Sequence, residues 1–154
     1  MNTRIDVALI LWNTDVIQLV SLVLRHRNLK SRGVEPSQGP EKIQDLIVSC
    51  SPSVVVFDLG PPYDESAAVV LRLLGRFPDP SFVITCADPA LALKAAPWLS
   101  CYPIFQKPYP PDEIGETVGS MVRRVSRNRA WQELSPGVSD VTAKVTESFP
   151  GATW

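Results

Sequence analysis

The sequence predicts an α/β domain built on a doubly wound, five-stranded parallel sheet with (βα)5 order. Three observations predict it. Segments of strand length recur five times along the 154 residues, four of them as short apolar runs. Apolar residues between those runs fall at helical spacing. The clearest runs are continuous rather than alternating, as a strand covered on both faces requires.

The elements follow in order. "VALILW" (Val7 to Trp12) is the first buried strand. "DVIQLVSLVLRHR" then has helical spacing, with Asn13 or Thr14 as its N-cap. "KSRGVEP" is a weak second strand suited to a sheet edge. Pro40 opens a helix that places Ile43, Leu46, Ile47 and Cys50 on one face. "SVVVFDL" is the third strand, followed by a helix from about Glu65 that carries Val70, Leu73, Leu74 and Phe77. Pro78 and Pro80 stop that helix. "SFVITCA" is the fourth strand, and Asp88–Pro89 starts a short helix. "YPIFQ" is the fifth strand, which Pro103 forces to begin late or to lie at an edge. Pro110 and Pro111 open a last helix with Ile114, Val118, Met121, Val122 and Val125 in one stripe. Residues 1–128 form the expected domain. Residues 129–154, rich in Ser, Thr, Pro and Gly, are expected to be a flexible tail, with Trp131, Phe149 and Trp154 able to dock.

Composition narrows the function. Hydrophobic residues make up 45% of the chain, which supports a sizeable core, and the formal net charge is −1. That balance gives no electrostatic case for nucleic acid or an anionic membrane. The basic cluster Arg123, Arg124, Arg127 and Arg129 is expected to be a solvated helix end. Cys50, Cys86 and Cys101 are widely spaced, and His26 is the single histidine. Neither a metal-binding spacing nor a disulfide framework follows, and reduced thiols suit a cytoplasmic protein. The N-terminus lacks a signal-peptide pattern, and no run reaches membrane-spanning length. No GxGxxG or P-loop follows a strand, so a nucleotide-binding enzyme is a remote alternative.

Open α/β sheets build their sites at the carboxyl ends of the strands. Asp58 ends the third strand, Thr85 and Cys86 end the fourth, and Lys107 follows the fifth. A buried strand that ends on a carboxylate needs a use or a partner for the charge.

"VVVFDLGPPYDES", "ITCA" and "QKPYPPDEI", in this order on five βα units, give residues 4–127 a resemblance to the response regulator receiver (CheY-like) domain. The resemblance implies that Asp58 accepts a phosphoryl group from a histidine kinase and that Lys107 pairs with the phosphate. It also implies that Lys107–Pro108 is a cis candidate. The hydroxyl that follows the phosphate is Thr85, or else Cys86 takes that place. Magnesium would be held by Asp58, by the Gly60 carbonyl and by an acid pair after the first strand.

That acid pair is missing, because Trp12 and Asn13 occupy its positions. Asp15 is nearby, where its simplest task is to favour the helix N-terminus. The remaining metal candidates are therefore Asp58, Gly60, Asn13 and Asp15, and a magnesium site short of two charges is weak. Trp12 either packs over the sheet or fills the vacated metal position. Ile104 stands where the family has an aromatic, and Ile104 and Tyr109 are the binding candidates on the strand-five side.

The resemblance implies a stand-alone receiver-like module in two-component phosphorelay signalling, not an enzyme. It would act by binding a protein partner, either a histidine kinase or a downstream protein, with impaired magnesium-dependent phosphorylation and no resident cofactor. The alternative is an active receiver phosphorylated on Asp58. A homodimer stays open.

Overall fold

A computed structural model describes residues 4–134. The sheet strands are β1 (Val7–Ile10), β2 (Ser31–Val34), β3 (Val54–Leu59), β4 (Ser81–Cys86) and β5 (Ile104–Gln106). The helices are α1 (Thr14–His26), α2 (Pro40–Cys50), α3 (Tyr63–Arg76), α4 (Pro89–Ala95) and α5 (Pro111–Leu134). All strands run parallel in the order β2-β1-β3-β4-β5. The chain thus winds outward in both directions from the middle of the sheet, as the doubly wound prediction requires.

The apolar patterns explain the layers. All four residues of β1 and all six of β3 are buried. On one face Ala8, Ile10, Val55, Phe57 and Phe82 pack with Ile43, Leu46, Val70 and Leu73 from α2 and α3. On the other face Val7, Leu9, Val54, Val56 and Val83 pack with Val20 and Leu24 of α1 and with Ile114, Val118 and Val122 of α5. Burying both faces removes alternation from the sequence, hence the continuous runs.

Local chemistry sets the element ends. Asn13 caps α1, its Oδ1 accepting from the Asp15 N–H at 2.8 Å. Pro40 starts α2 behind Gly39, whose φ of 103° lies in a region that favours glycine. Asp88 caps α4 by accepting from the Leu91 N–H at 3.1 Å. Pro103 precedes β5, which begins late and forms one edge of the sheet.

Two boundaries differ from those the sequence predicts. Helix α3 begins at Tyr63 rather than about Glu65. Tyr63 packs against the core, and its hydroxyl accepts from the Asp88 N–H at 3.1 Å, which ties down that first turn. Helix α5 continues past 128 to Leu134, through Arg129 and Ala130, which favour helix. Residues up to Val122 form one compact unit, and those from Arg123 onward belong to another. The rest of the expected tail, including Phe149 and Trp154, lies outside the described residues.

Candidate functional site

Strand register builds the site. Asp58 lies opposite Thr85 in the β3–β4 pair, and Cys86 lies opposite Leu59. The Thr85 Oγ1 donates to Asp58 Oδ1 at 2.9 Å. The Lys107 N–H extends the ladder by donating to the Cys86 carbonyl at 2.8 Å. This anchor fixes the lysine backbone at the sheet mouth, and the Lys107–Pro108 peptide beyond it is cis. Lys107 Nζ reaches Asp58 at 3.0 Å from Oδ1 and 3.0 Å from Oδ2. Three strand ends thus converge on one carboxylate that is 4% exposed.

A buried carboxylate costs several kcal/mol unless charge and hydrogen bonds compensate it. Lys107 supplies the charge and Thr85 a neutral donor, so no buried side-chain polar atom is left without a partner among the described residues. The field of Asp58 is felt nearby. Burial first, and then the Asp58 charge, push the Tyr109 phenol up to about 12. Burial is also the leading cause of a raised Cys86 thiol; Asp58 adds to it, while Lys107 opposes it. Cys86 shares the electrostatics of the site, but Thr85 is the residue in hydrogen-bond contact with the carboxylate.

The first-strand side of the site is different. The Trp12 Nε1–H donates to the Asp58 main-chain carbonyl at 3.2 Å. Its ring lies against Gly60, where an added Cβ would stand 3.0 Å from Nε1 and 3.1 Å from Cε2. A side chain at 60 would press on the ring at this distance. The Gly60 carbonyl accepts a short hydrogen bond from the Ser66 hydroxyl. Asn13 is committed to the helix cap, and Asp15 is exposed in the first turn of α1.

These residues do not fit a divalent cation. Of the oxygens expected to hold it, those at Asn13, Gly60 and Asp58 already have internal partners, and the Asp15 carboxylate stays exposed in the first turn of α1. No cluster of three or more His, Cys, Asp or Glu side chains able to hold a metal occurs among the described residues. A tryptophan supplies only a donor and no ligand lone pair.

The structure therefore brings Asp58, Thr85 and Lys107 together, and leaves Asn13 capping α1 and Asp15 exposed in the first turn of that helix. Ile104 and Tyr109 fall on opposite sides of the sheet, Ile104 with the α2–α4 layer and Tyr109 with the α1–α5 layer. Tyr109 also meets Phe105 edge-on, with centroids 6.2 Å apart. One feature was not foreseen from the sequence. A cavity of about 350 Å³ opens beside Trp12 and Asp58, between the start of α2 and the Pro61–Ser66 segment with Val69 and Arg72 of α3. Its sequence signal was the cluster of prolines at 36, 40, 61 and 62, which line it.

No family model matches the chain by sequence, and no curated protein does. Solved structures do match it. NtrX from Brucella abortus, in complex with ADP, superimposes with a TM-score of 0.66 at 16% identity, over 86% of this chain and 29% of that longer chain. The signal receiver domain of a candidate Luxo repressor from Vibrio parahaemolyticus gives 0.67 at 17% identity, covering 84% of this chain and 98% of that one. A transiently phosphorylated "switch" in bacterial signal transduction gives 0.62 at 19% identity, with coverages of 80% and 98%. At such identities the likeness establishes the fold alone, and that fold is the response regulator receiver. No helix among the described residues is long and apolar enough to cross a membrane.

Proposed function

We propose that this chain is an atypical receiver-type module of two-component signalling that acts through a protein partner, with magnesium-dependent phosphorylation of Asp58 impaired. One observation carries the reading. The carboxylate, hydroxyl and lysine converge at 2.9–3.0 Å, while an indole, not an acid pair, stands at the first-strand side of the same strand end. Phosphoryl transfer relies on positioning and on neutralising the phosphate charge. Lys107 meets part of that need, and no cluster of three or more His, Cys, Asp or Glu side chains able to hold a metal occurs among the described residues. Partner recognition needs only a stable surface, which the fold supplies without chemistry. A cytoplasmic histidine kinase or a downstream signalling protein is the partner this reading calls for.

The test is incubation with acetyl phosphate and magnesium, followed by intact-mass measurement. The natural chain should remain unmodified. A phosphoryl adduct that disappears in Asp58→Asn would overturn the reading and favour the alternative, an active receiver. That alternative draws on Oδ2 of Asp58, for which Lys107 is the partner the structure gives, leaving an oxygen suited to attack on phosphorus.

A further inference from the structure

We infer that Trp12 takes over the role a divalent cation would have at this strand end, making the Asp58 site a metal-free lock. The inference rests on the receiver reading above and names the residue that enforces it. A cation and an N–H group seek the same thing, the lone pairs of oxygen. At the end of β3 the indole N–H takes the main-chain carbonyl of Asp58 at 3.2 Å, which sets the ring against Gly60, beside the oxygens that would hold the ion. The neighbouring carbonyl of Gly60 is taken by the Ser66 hydroxyl. Thr85 and Lys107 take the carboxylate oxygens.

Charge points the same way. Asp58 and Lys107 neutralise one another, so the pair leaves no excess negative charge to draw in a dication. Gly60 completes the device, because a Cβ there would stand 3.0–3.1 Å from the indole and push on the ring. Trp12 and Gly60 therefore work as a matched pair across two strands.

The lock can be undone without breaking the fold. Trp12 is 47% exposed, so replacing it opens no cavity in the core. Aspartate at 13 would still cap α1, as asparagine does. The combined change Trp12→Asp with Asn13→Asp removes the donor and restores two carboxylates beside Asp58. Magnesium chloride titrated calorimetrically into the full chain should give no saturable heat with the natural protein. The double variant should gain affinity by roughly tenfold or more, since hard cations depend on carboxylates.

Natural protein that binds magnesium as tightly as the variant would overturn the inference. So would a double variant with native circular dichroism that gains nothing. A measurement on the natural chain keeps the test decisive even if the variant does not fold. The Trp12 indole N–H resonance should stay fixed as magnesium is added, and a saturable shift of that resonance would overturn the lock. The acetyl phosphate experiment separates the two readings. An Asp58 adduct with no magnesium response would sink the impaired-receiver proposal and leave the lock standing. A magnesium response with no adduct would do the reverse.

Discussion

With Lys107 removed, the Asp58 carboxylate would keep the Thr85 hydroxyl as its partner in a site that is 4% exposed. Breaking a fully buried ion pair costs about 3–5 kcal/mol. The Lys107 side chain is 38% exposed, so solvent screens the pair, and about 1–2 kcal/mol is the appropriate expectation for Lys107→Met. Asp58→Asn combined with Lys107→Met should recover part of that loss, because no uncompensated charge remains. Urea denaturation of the two singles and the double tests this, and strictly additive losses would refute coupling. Gly60→Ala probes the other side of the same carboxylate. Its new Cβ would meet Trp12 Nε1 at 3.0 Å and Cζ2 at 3.1 Å, so the ring must give way. The expected result is loss of the N–H bond to the Asp58 carbonyl, seen as a moved indole N–H resonance; an unmoved one would show that the contact has slack. Tyr109 adds a pH dependence. Its folded pKa, about 12, lies above the ordinary phenol value of 10, so the stability it contributes is complete below pH 10. That contribution falls away as pH rises from 10 towards 12, by an amount on the order of 1–2 kcal/mol after allowing for partial exposure. Tyr109→Phe should flatten that alkaline loss in thermal melts taken across the window.

Capping is where single side chains decide whole elements. Helix α4 has seven residues, too few to be stable by propensity, and Asp88 supplies its N-cap bond. Asp88→Ala should cost about 1 kcal/mol and loosen α4 selectively, visible as faster amide exchange at Leu91 than in β4. Equal protection in both proteins would mean that the Tyr63 contact alone holds the turn. These caps, like the prolines that open α2, α4 and α5, were legible in the sequence because they act over three or four residues. The start of α3 was missed by two residues because Tyr63 is held by Asp88, 25 positions away. The same distinction runs through the site. Asp58 and Lys107 announced themselves as charges at the ends of apolar runs. Thr85 and Cys86 could not be separated until register placed Thr85 across from Asp58. The place of Trp12 after the first strand put its ring near the sheet mouth, but its bond to a carbonyl 46 residues away was not legible. Only Gly60 hinted at it, and a lone glycine after a strand serves equally well in an ordinary turn.

Across the compact unit up to Val122, the three thiols report different depths of one fold. Cys101 is exposed, Cys50 closes α2 against the core, and Cys86 ends β4 with no exposure. Thiolate is the reactive form, and burial and Asp58 both disfavour it at Cys86. Alkylation of the native protein, followed by intact mass, should therefore add one label quickly, on Cys101. Cys50 sits at a helix end beside the left-handed Ser51, so partial opening of α2 suffices to expose it. Cys86 ends the central strand β4 and packs in the layer that holds Ala92, Ala96 and Leu99, so reaching it requires that layer to lift off the sheet. The second label should accordingly appear before the third in moderate urea, and the third should track the loss of circular dichroism. Second and third labels arriving together would show that α2 and the sheet open as one cooperative unit. A native Cys86 that reacts as fast as Cys101 would contradict the packing of the central strands themselves. Lys107→Met removes the ion pair to Asp58 but keeps the backbone bond from residue 107 to the Cys86 carbonyl, so the three labels should keep their order while the second and third appear at lower urea.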